Sequence, residues 1–259
     1  MLKTLKIAAA ALLFAASGAA MANAEPLKVG FSPEAYPPFY VADAAGNWTG
    51  WEVDIVNAIC AEAKFECELV PIPWDGLIPA LTTKKIDAIM NSMSITAERQ
   101  KSIDFSDKYY NTPTAVAGPK GETFDATPEG LKGKIIGVQV STVHADYVKK
   151  HFTEAAEIKE YQTQDEANQD LAAGRIDATQ ADSIALDAFL QSEQGKACCD
   201  LKGYVADDLE ILGPGVGVGL RKEDTAIKER INAAIKAIRD NGKYDEITKK
   251  YFSFDIYGG

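Results

Sequence analysis

The sequence predicts an α/β protein of two lobes joined by two crossing strands, with a ligand cleft between the lobes. Three observations predict it. Strand-like runs alternate with helix-period segments in β-α-β-α-β order, once before residue 91 and again after residue 133, and that order implies mainly parallel sheets. The two units share a stretch: residues 81–92 (LTTKKIDAIMNS) align without a gap on residues 171–182 (LAAGRIDATQAD). After the second unit a glycine-interrupted run over 213–220 suggests a return crossing. Open parallel sheets bind ligands at the carboxyl ends of their strands, so the cleft is where a site belongs.

Each element follows from local pattern. Residues 27–31 alternate and stop near Pro33, which reads as a first strand delivered to a loop carrying Tyr36-Pro37-Pro38-Phe39. After a break at Gly50, Val53, Ile55, Val56, Ile59 and Cys60 recur at helical spacing, predicting a helix over 52–63. A strand over 68–72, a helix over 77–81 and a strand over 86–90 complete the first unit. Asn111, Thr112 and Pro113 lie in an extended segment suited to a crossing. The second unit reads as strand 134–140, helix 143–152, strand 158–161, helix 164–173 and strand 176–179. Helices over 225–239 and 244–252 finish the chain. The expected lobes are residues 25–111 with 213–259, and residues 112–212 with the crossover segments.

Composition narrows the compartment and the ligand. Lys3 and Lys6 precede an apolar stretch over 7–16, and Ala22-Asn23-Ala24 supplies a small-residue cleavage pattern, so residues 1–24 read as an export signal. The stretch is shorter than the roughly 20 residues a spanning helix needs and is broken by Ser17 and Gly18. A periplasmic protein is the expectation. The formal charge of −11 becomes −13 without residues 1–24, which carry two lysines and no acid. Clustered Lys and Arg for tracking phosphates are not visible, which argues against nucleic acid. Cys60 and Cys67 are close in sequence and are expected to pair in an oxidising compartment, whereas the state of the adjacent Cys198 and Cys199 is open. His144 and His151 have no partner at ligand spacing, so no metal is expected.

The strand over 86–90 opens into Asn91, Ser92, Met93 and Ser94 and then Arg99, an arrangement suited to a small carboxylate. Arg99 has a planar fork that meets a carboxylate in bidentate fashion; the bland alternative is a surface pair with Glu98 or Asp104. In the internal alignment Ser92 matches Asp182, so the second unit presents an acid where the first presents a hydroxyl. Asp182 reads equally as the N-cap of a helix through Ile184, Leu186 and Leu190. Ser141-Thr142, between a strand and a helix, suits an anion or a plain cap. Trp74 and Tyr36 lie beside prolines in loops, as ligand walls or hydrophobic plugs. Trp48 and Trp51 read as lobe-surface or core residues, and His144 and His151 as lying on an exposed helix.

Together Tyr36-Pro37-Pro38-Phe39, the run from Trp74 to Leu81, Asp87-Ala88-Ile89 through Arg99, Phe105-Ser106-Asp107, the run from Gly217 to Lys222, and Lys250-Tyr251-Phe252 carry a resemblance. Over essentially the whole mature chain the sequence resembles the periplasmic polar amino-acid-binding proteins of ABC importers, nearest the lysine/arginine/ornithine- and histidine-binding proteins. The resemblance implies a type II periplasmic binding protein fold and a Cys60–Cys67 disulfide. It puts Arg99 on the ligand carboxylate with Thr142 assisting and Asp182 on the ammonium, with Ser92 and Ser94 adding hydroxyl or backbone contacts. Trp74 and Tyr36 become side-chain walls, and Asn91 stands where serine is common. Two departures stand out: Pro33 occupies the place of the acid that pairs with a distal cation, leaving Glu34 as its replacement, and Val143 replaces a polar residue. The implied function is capture of a polar, cationic L-amino acid by lobe closure and delivery to an ABC permease, as a monomer without cofactor or catalytic residue. A chemoreceptor is a further partner of the same binding step. The alternatives are an opine-binding protein of the same class and an exported cyclohexadienyl dehydratase on the same scaffold.

Overall fold

The structure, a computed structural model, describes residues 25–258. The expected export signal lies outside the described residues. In chain order the first part contains β1 (Leu27–Phe31), a hairpin of β2 (Val41–Ala42) and β3 (Trp48–Thr49), α1 (Trp51–Glu62), β4 (Cys67–Pro71), a 3₁₀ turn at Trp74–Gly76, α2 (Leu77–Thr82), β5 (Ala88–Ile89), α3 (Ala97–Gln100) and β6 (Asp104–Tyr110). The second part contains β7 (Thr114–Pro119), β8 (Ile135–Gln139), α4 (Val143–His151), β9 (Glu157–Tyr161), α5 (Gln164–Ala172), β10 (Ala178–Asp182), α6 (Ser183–Gln191), α7 (Glu193–Cys198) and β11 (Cys199–Tyr204). The chain then returns with β12 (Val216–Leu220), α8 (Thr225–Asp240) and α9 (Lys243–Thr248).

Two five-stranded sheets result, ordered β4-β1-β5-β12-β6 and β11-β7-β10-β8-β9. The type II two-lobed architecture is present. The sheets are mixed, however, where the sequence pattern implied mainly parallel ones. β1 pairs in parallel with β4 and β5, and β8 with β9 and β10, but β12 is antiparallel to β5 and β6, and β7 is antiparallel to β10 and β11. The antiparallel members flank the crossings, where the chain enters a sheet from its opposite end. β11 escapes a pattern search because it is half exposed and its register shifts between Leu201 and Gly203. β7 is short-chained and buried along most of its length (TAVAGP), without the alternation that marks a strand.

The sequence repeat is a geometric repeat. Asp87 Oδ2 accepts from the Lys28 amide at 3.1 Å, and Asp177 Oδ2 accepts from the Ile135 amide at 2.7 Å, so each unit pins its neighbouring parallel strand with the same aspartate. Lys84 and Gly174, equivalent in the alignment, turn the preceding helix with φ of 61° and 69°.

Each sheet has its own core. In the first, Trp51 is fully buried and its Nε1–H donates to Thr248 Oγ1 at 3.1 Å, tying α1 to α9. In the second, Val116, Ile136, Val138, Val148 and Phe152 pack between β7, β8 and α4. A Cys60–Cys67 bond links the end of α1 to the start of β4, and Cys198 and Cys199 are also bonded. Among the described residues no helix is long and apolar enough to cross a membrane.

Gly50 shows why the helix break is a glycine. Its φ is 133°, and a Cβ there would sit 2.3 Å from the Phe39 carbonyl oxygen. Gly50→Ala is expected to cost at least about 2 kcal/mol by urea denaturation, whereas Gly46→Ala, also at positive φ but with open space around it, costs about 1 kcal/mol. Equal costs would show that the close approach to Phe39 carries no weight.

Candidate functional site

The site is built at the carboxyl ends of β5 and β10, with loops from both sheets around them. After β5 the chain turns at Ser92, whose φ of 51° is in the left-handed region. Ser92 is held there by a side chain that periodicity does not reveal as functional: Glu52 accepts from the Ser92 amide at 2.6 Å and from its hydroxyl at 2.9 Å, and also from the Tyr109 hydroxyl. Glu52 is completely buried, and burial pushes its carboxyl up to about 7 against those donors. Sequence reasoning missed it. Its signal was position: Glu52 stands on the apolar stripe of α1 with Ile55, Val56 and Ile59, at i+3, i+4 and i+7.

Arg99, on α3, lines a small cavity of about 40 Å³ with Trp74, Thr142, Gln164 and other residues from both sheets. Its guanidinium lies 5.6 Å over the Trp74 ring. It donates from Nη1 to the Ser94 carbonyl at 2.9 Å and from Nη2 to the Ser141 carbonyl at 3.2 Å, the second bond crossing the cleft. Trp74 Nε1–H donates to the same Ser141 oxygen at 3.3 Å. Burial draws Arg99 down to about 10, with Asp146 opposing, so it stays cationic at neutral pH. Neither Glu98 nor Asp104 is its partner: Glu98 pairs with Lys101 and Asp104 with Lys228. The Thr142 hydroxyl is committed to capping α4, accepting from the Ala145 amide at 3.1 Å and donating to the Gln139 carbonyl at 2.7 Å.

Asp182 lines an adjoining cavity of about 450 Å³, bounded by both crossing segments. The two cavities share Tyr36, Ser92, Ser94, Val143 and His144. Asp182 does cap its helix: Oδ1 accepts from the Ile184 amide at 2.8 Å and from Ala185, while Oδ2 accepts from the Thr112 hydroxyl. Burial raises its carboxyl to about 6 against these donors. Capping and facing the cavity coexist, because a carboxylate has more acceptor sites than the cap consumes.

Several expected contacts are arranged differently. Met93 is buried among Leu77, Ile86, Ile89 and Phe105 and lines neither cavity, because the strand alternation that turns Ser92 and Ser94 outward turns Met93 into the core. Asn91 is likewise fully buried and holds the wall from behind, its Oδ1 accepting from the Ser32 amide at 2.6 Å. Glu34 lines neither inner cavity; it faces an outer groove of about 630 Å³ with Tyr36, Gln164 and Glu193, and accepts from the Ser32 hydroxyl. Its carboxyl is raised, first by burial and then by Asp75 and Glu166.

His144 is not on an exposed helix face. It is half-buried, lines both inner cavities and lies 3.3 Å from the Thr114 hydroxyl through Nδ1. Burial, and then the charge of Arg99, depress its ring to about 3. The available signal was its place two residues after the Thr142 cap, at the helix end that faces the cleft. His151 lines neither inner cavity and instead contacts Asp208, a residue of the larger cavity's wall, at 2.8 Å.

The chain matches the family described as bacterial extracellular solute-binding proteins, family 3, over residues 27–254. It is 43% identical to an L-arginine-binding protein of Pseudomonas aeruginosa, covering 99% of both chains. It is 39% identical to a histidine-binding periplasmic protein of Escherichia coli, covering 96% of both. A solved structure of an ancestral arginine-binding protein bound to arginine superposes with a TM-score of 0.80 at 33% identity, covering 88% of this chain and 98% of that one.

The His144 ring is expected to remain neutral down to about pH 4, read by its ring-nitrogen NMR shifts. Arg99→Met removes the smaller of the two causes, so the midpoint should rise but stay below 6.5. A midpoint near 6.5 in the intact protein would contradict this environment.

Proposed function

Because the chain belongs to the bacterial extracellular solute-binding proteins, family 3, we propose that it captures a cationic L-amino acid, L-arginine first among the candidates, by lobe closure. The lobes are residues 25–111 with 213–259 and residues 112–212, each built on one sheet. One observation carries the reading. A guanidinium from the first sheet and a carboxylate from the second line adjoining cavities with a common wall of Tyr36, Ser92, Ser94, Val143 and His144. Arg99 takes the α-carboxylate through its fork, Asp182 takes the α-ammonium, and Ser92 and Ser94 lie between. Each lobe alone supplies half of the partners, so the ligand favours the closed form through contacts absent from the open one.

Trp74 and Tyr36 wall the ligand's side chain, and Glu34, which faces the outer groove, is left out of the contacts. The similar proteins named for arginine and histidine support this class of ligand. The opine reading has less support. The larger cavity, on the Asp182 side, is lined by Asp182, Asp207 and Asp255, and by Asp208, which pairs with Lys150, and by no lysine or arginine, so it opposes the second carboxylate that an opine carries on the carbon attached to its amino nitrogen. The dehydratase reading meets the same obstacle with dianionic substrates. On the same family premise the protein acts in the periplasm and delivers its ligand to an ABC permease.

Isothermal titration with L-arginine, L-lysine, L-histidine, octopine and nopaline tests the proposal. Arginine should bind and octopine should not. Arg99→Ala should weaken arginine binding at least about 100-fold, roughly 3 kcal/mol, because a buried carboxylate loses its partner. Normal binding by both Arg99→Ala and Asp182→Ala would refute the site.

A further inference from the structure

Glu52 lies behind the cleft wall and takes no part in the head-group contacts above. It is fully buried at the start of α1, and three donors converge on it: the Ser92 amide at 2.6 Å, the Ser92 hydroxyl at 2.9 Å and the Tyr109 hydroxyl. Ser92 in turn lines both inner cavities. Its positive φ is uncommon outside glycine, and a single carboxylate gripping both its amide and its hydroxyl holds it there.

The chemistry of the pair is asymmetric. A serine hydroxyl has one hydrogen and two lone pairs, whereas an ionised carboxylate only accepts. With Glu52 ionised, the Ser92 hydrogen points at Oε2 and its lone pairs are left for the cavity. With Glu52 protonated on Oε2, the carboxyl hydrogen donates to Ser92 Oγ, and the serine hydrogen turns toward the cavity. The Ser92 amide and the Tyr109 hydroxyl donate to Oε1 in both states. The charge of a residue that no ligand touches therefore selects whether Ser92 offers an acceptor or a donor.

We propose that Glu52 is a positioning residue: its carboxylate keeps the Ser92 hydrogen turned away from the cleft, so that Ser92 accepts from the ligand's α-ammonium group. This rests on the amino-acid reading of the site. Among the described residues, the ionisable groups that act on Glu52 are the phenols of Tyr36, Tyr40, Tyr109 and Tyr110 and the carboxylate of Asp182, with Tyr109 in direct contact. No cation is among them. Burial, helped by Asp182, holds the carboxyl near neutrality, so both states are populated there. An arriving ammonium group favours the ionised one and releases the proton to solvent.

Arginine titrations of wild type, Glu52→Gln, Ser92→Ala and the double variant test the role. Glutamine offers its amide hydrogens to Ser92 Oγ, as the protonated acid does. Each single variant is expected to weaken arginine binding about tenfold, with the double variant no weaker than Ser92→Ala alone. At pH 7, wild type should release a fraction of a proton on binding, measured in buffers of different ionisation enthalpy, and Glu52→Gln should release little. Additive losses, or release that survives Glu52→Gln, would overturn the role. Should Glu52→Gln not fold, carboxyl-carbon NMR of wild type gives the answer: the Glu52 midpoint lies near 7, the Ser92 amide shift follows it, and arginine lowers it. Binding of arginine with an unmoved midpoint overturns the role of Glu52 alone. Absence of binding by any amino acid overturns the functional reading, and this role with it.

Discussion

The first sheet is complete only when β12, made after the whole second sheet, is laid between β5 and β6. That insertion is the constraint on which the cleft depends. The segment after β5 that carries the polar residues of the site has no strand of its own, and its backbone groups must find partners. β12 and the residues before it supply them. Ile95 N–H donates to the Gly215 carbonyl at 2.8 Å, Gly217 N–H donates to the Met93 carbonyl at 3.2 Å, and Ser94 bridges to Val216. Val218 N–H is satisfied by the Ser106 hydroxyl at 2.9 Å. The wall of the site is thus stitched by chain more than a hundred residues away, and the same chain forms one boundary of the larger cavity.

Two sheets so joined meet with the ends of β5 and β10 facing a common space. The internal repeat makes the two ends alike in backbone and unlike in charge. Asp87 and Asp177 do the same structural work in each unit, while Ser92 and Asp182, five residues further on, diverge. Ser92 answers to Glu52 behind it, and Asp182 answers to its own helix and to Thr112 on a crossing segment. Burial acts in the same sense on all the ionisable groups here, pressing each toward its neutral form: Glu52 and Asp182 upward, Arg99 and His144 downward. A zwitterion suits such a place because it brings one charge of each sign.

Much of this was legible in the sequence, and the limits have physical causes. Period-2 and period-3.6 patterns located β1, α1, β8, α4 and α5 to within a residue or so at each end, because those elements bury one face against a sheet. β11 and β7 were missed because a bulge in one and uniform burial in the other erase alternation. At the candidate site, Arg99, Asp182, Ser92 and Trp74 stand out through the repeat and the resemblance, and each lines at least one of the two inner cavities. Met93 was carried along by its neighbours although strand geometry turns it inward. His144 and Glu52 were passed over because each looks ordinary along the chain. One is a polar residue on an amphipathic helix, the other an acid in the first turn of a helix, and only the packing of distant segments around them makes them unusual.

The carbonyl of Ser141 receives both the Arg99 guanidinium and the Trp74 indole from across the cleft. In this arrangement the arginine is engaged with neutral peptide oxygens of Ser94 and Ser141. A free carboxylate brings a full opposite charge and two oxygens that match the guanidinium fork, which a single neutral peptide oxygen does not. A primary amide or an ester brings only another neutral oxygen and gains nothing by the exchange. On the proposed reading of the site, the exchange favours a molecule with an unblocked acid terminus over a capped one of the same size.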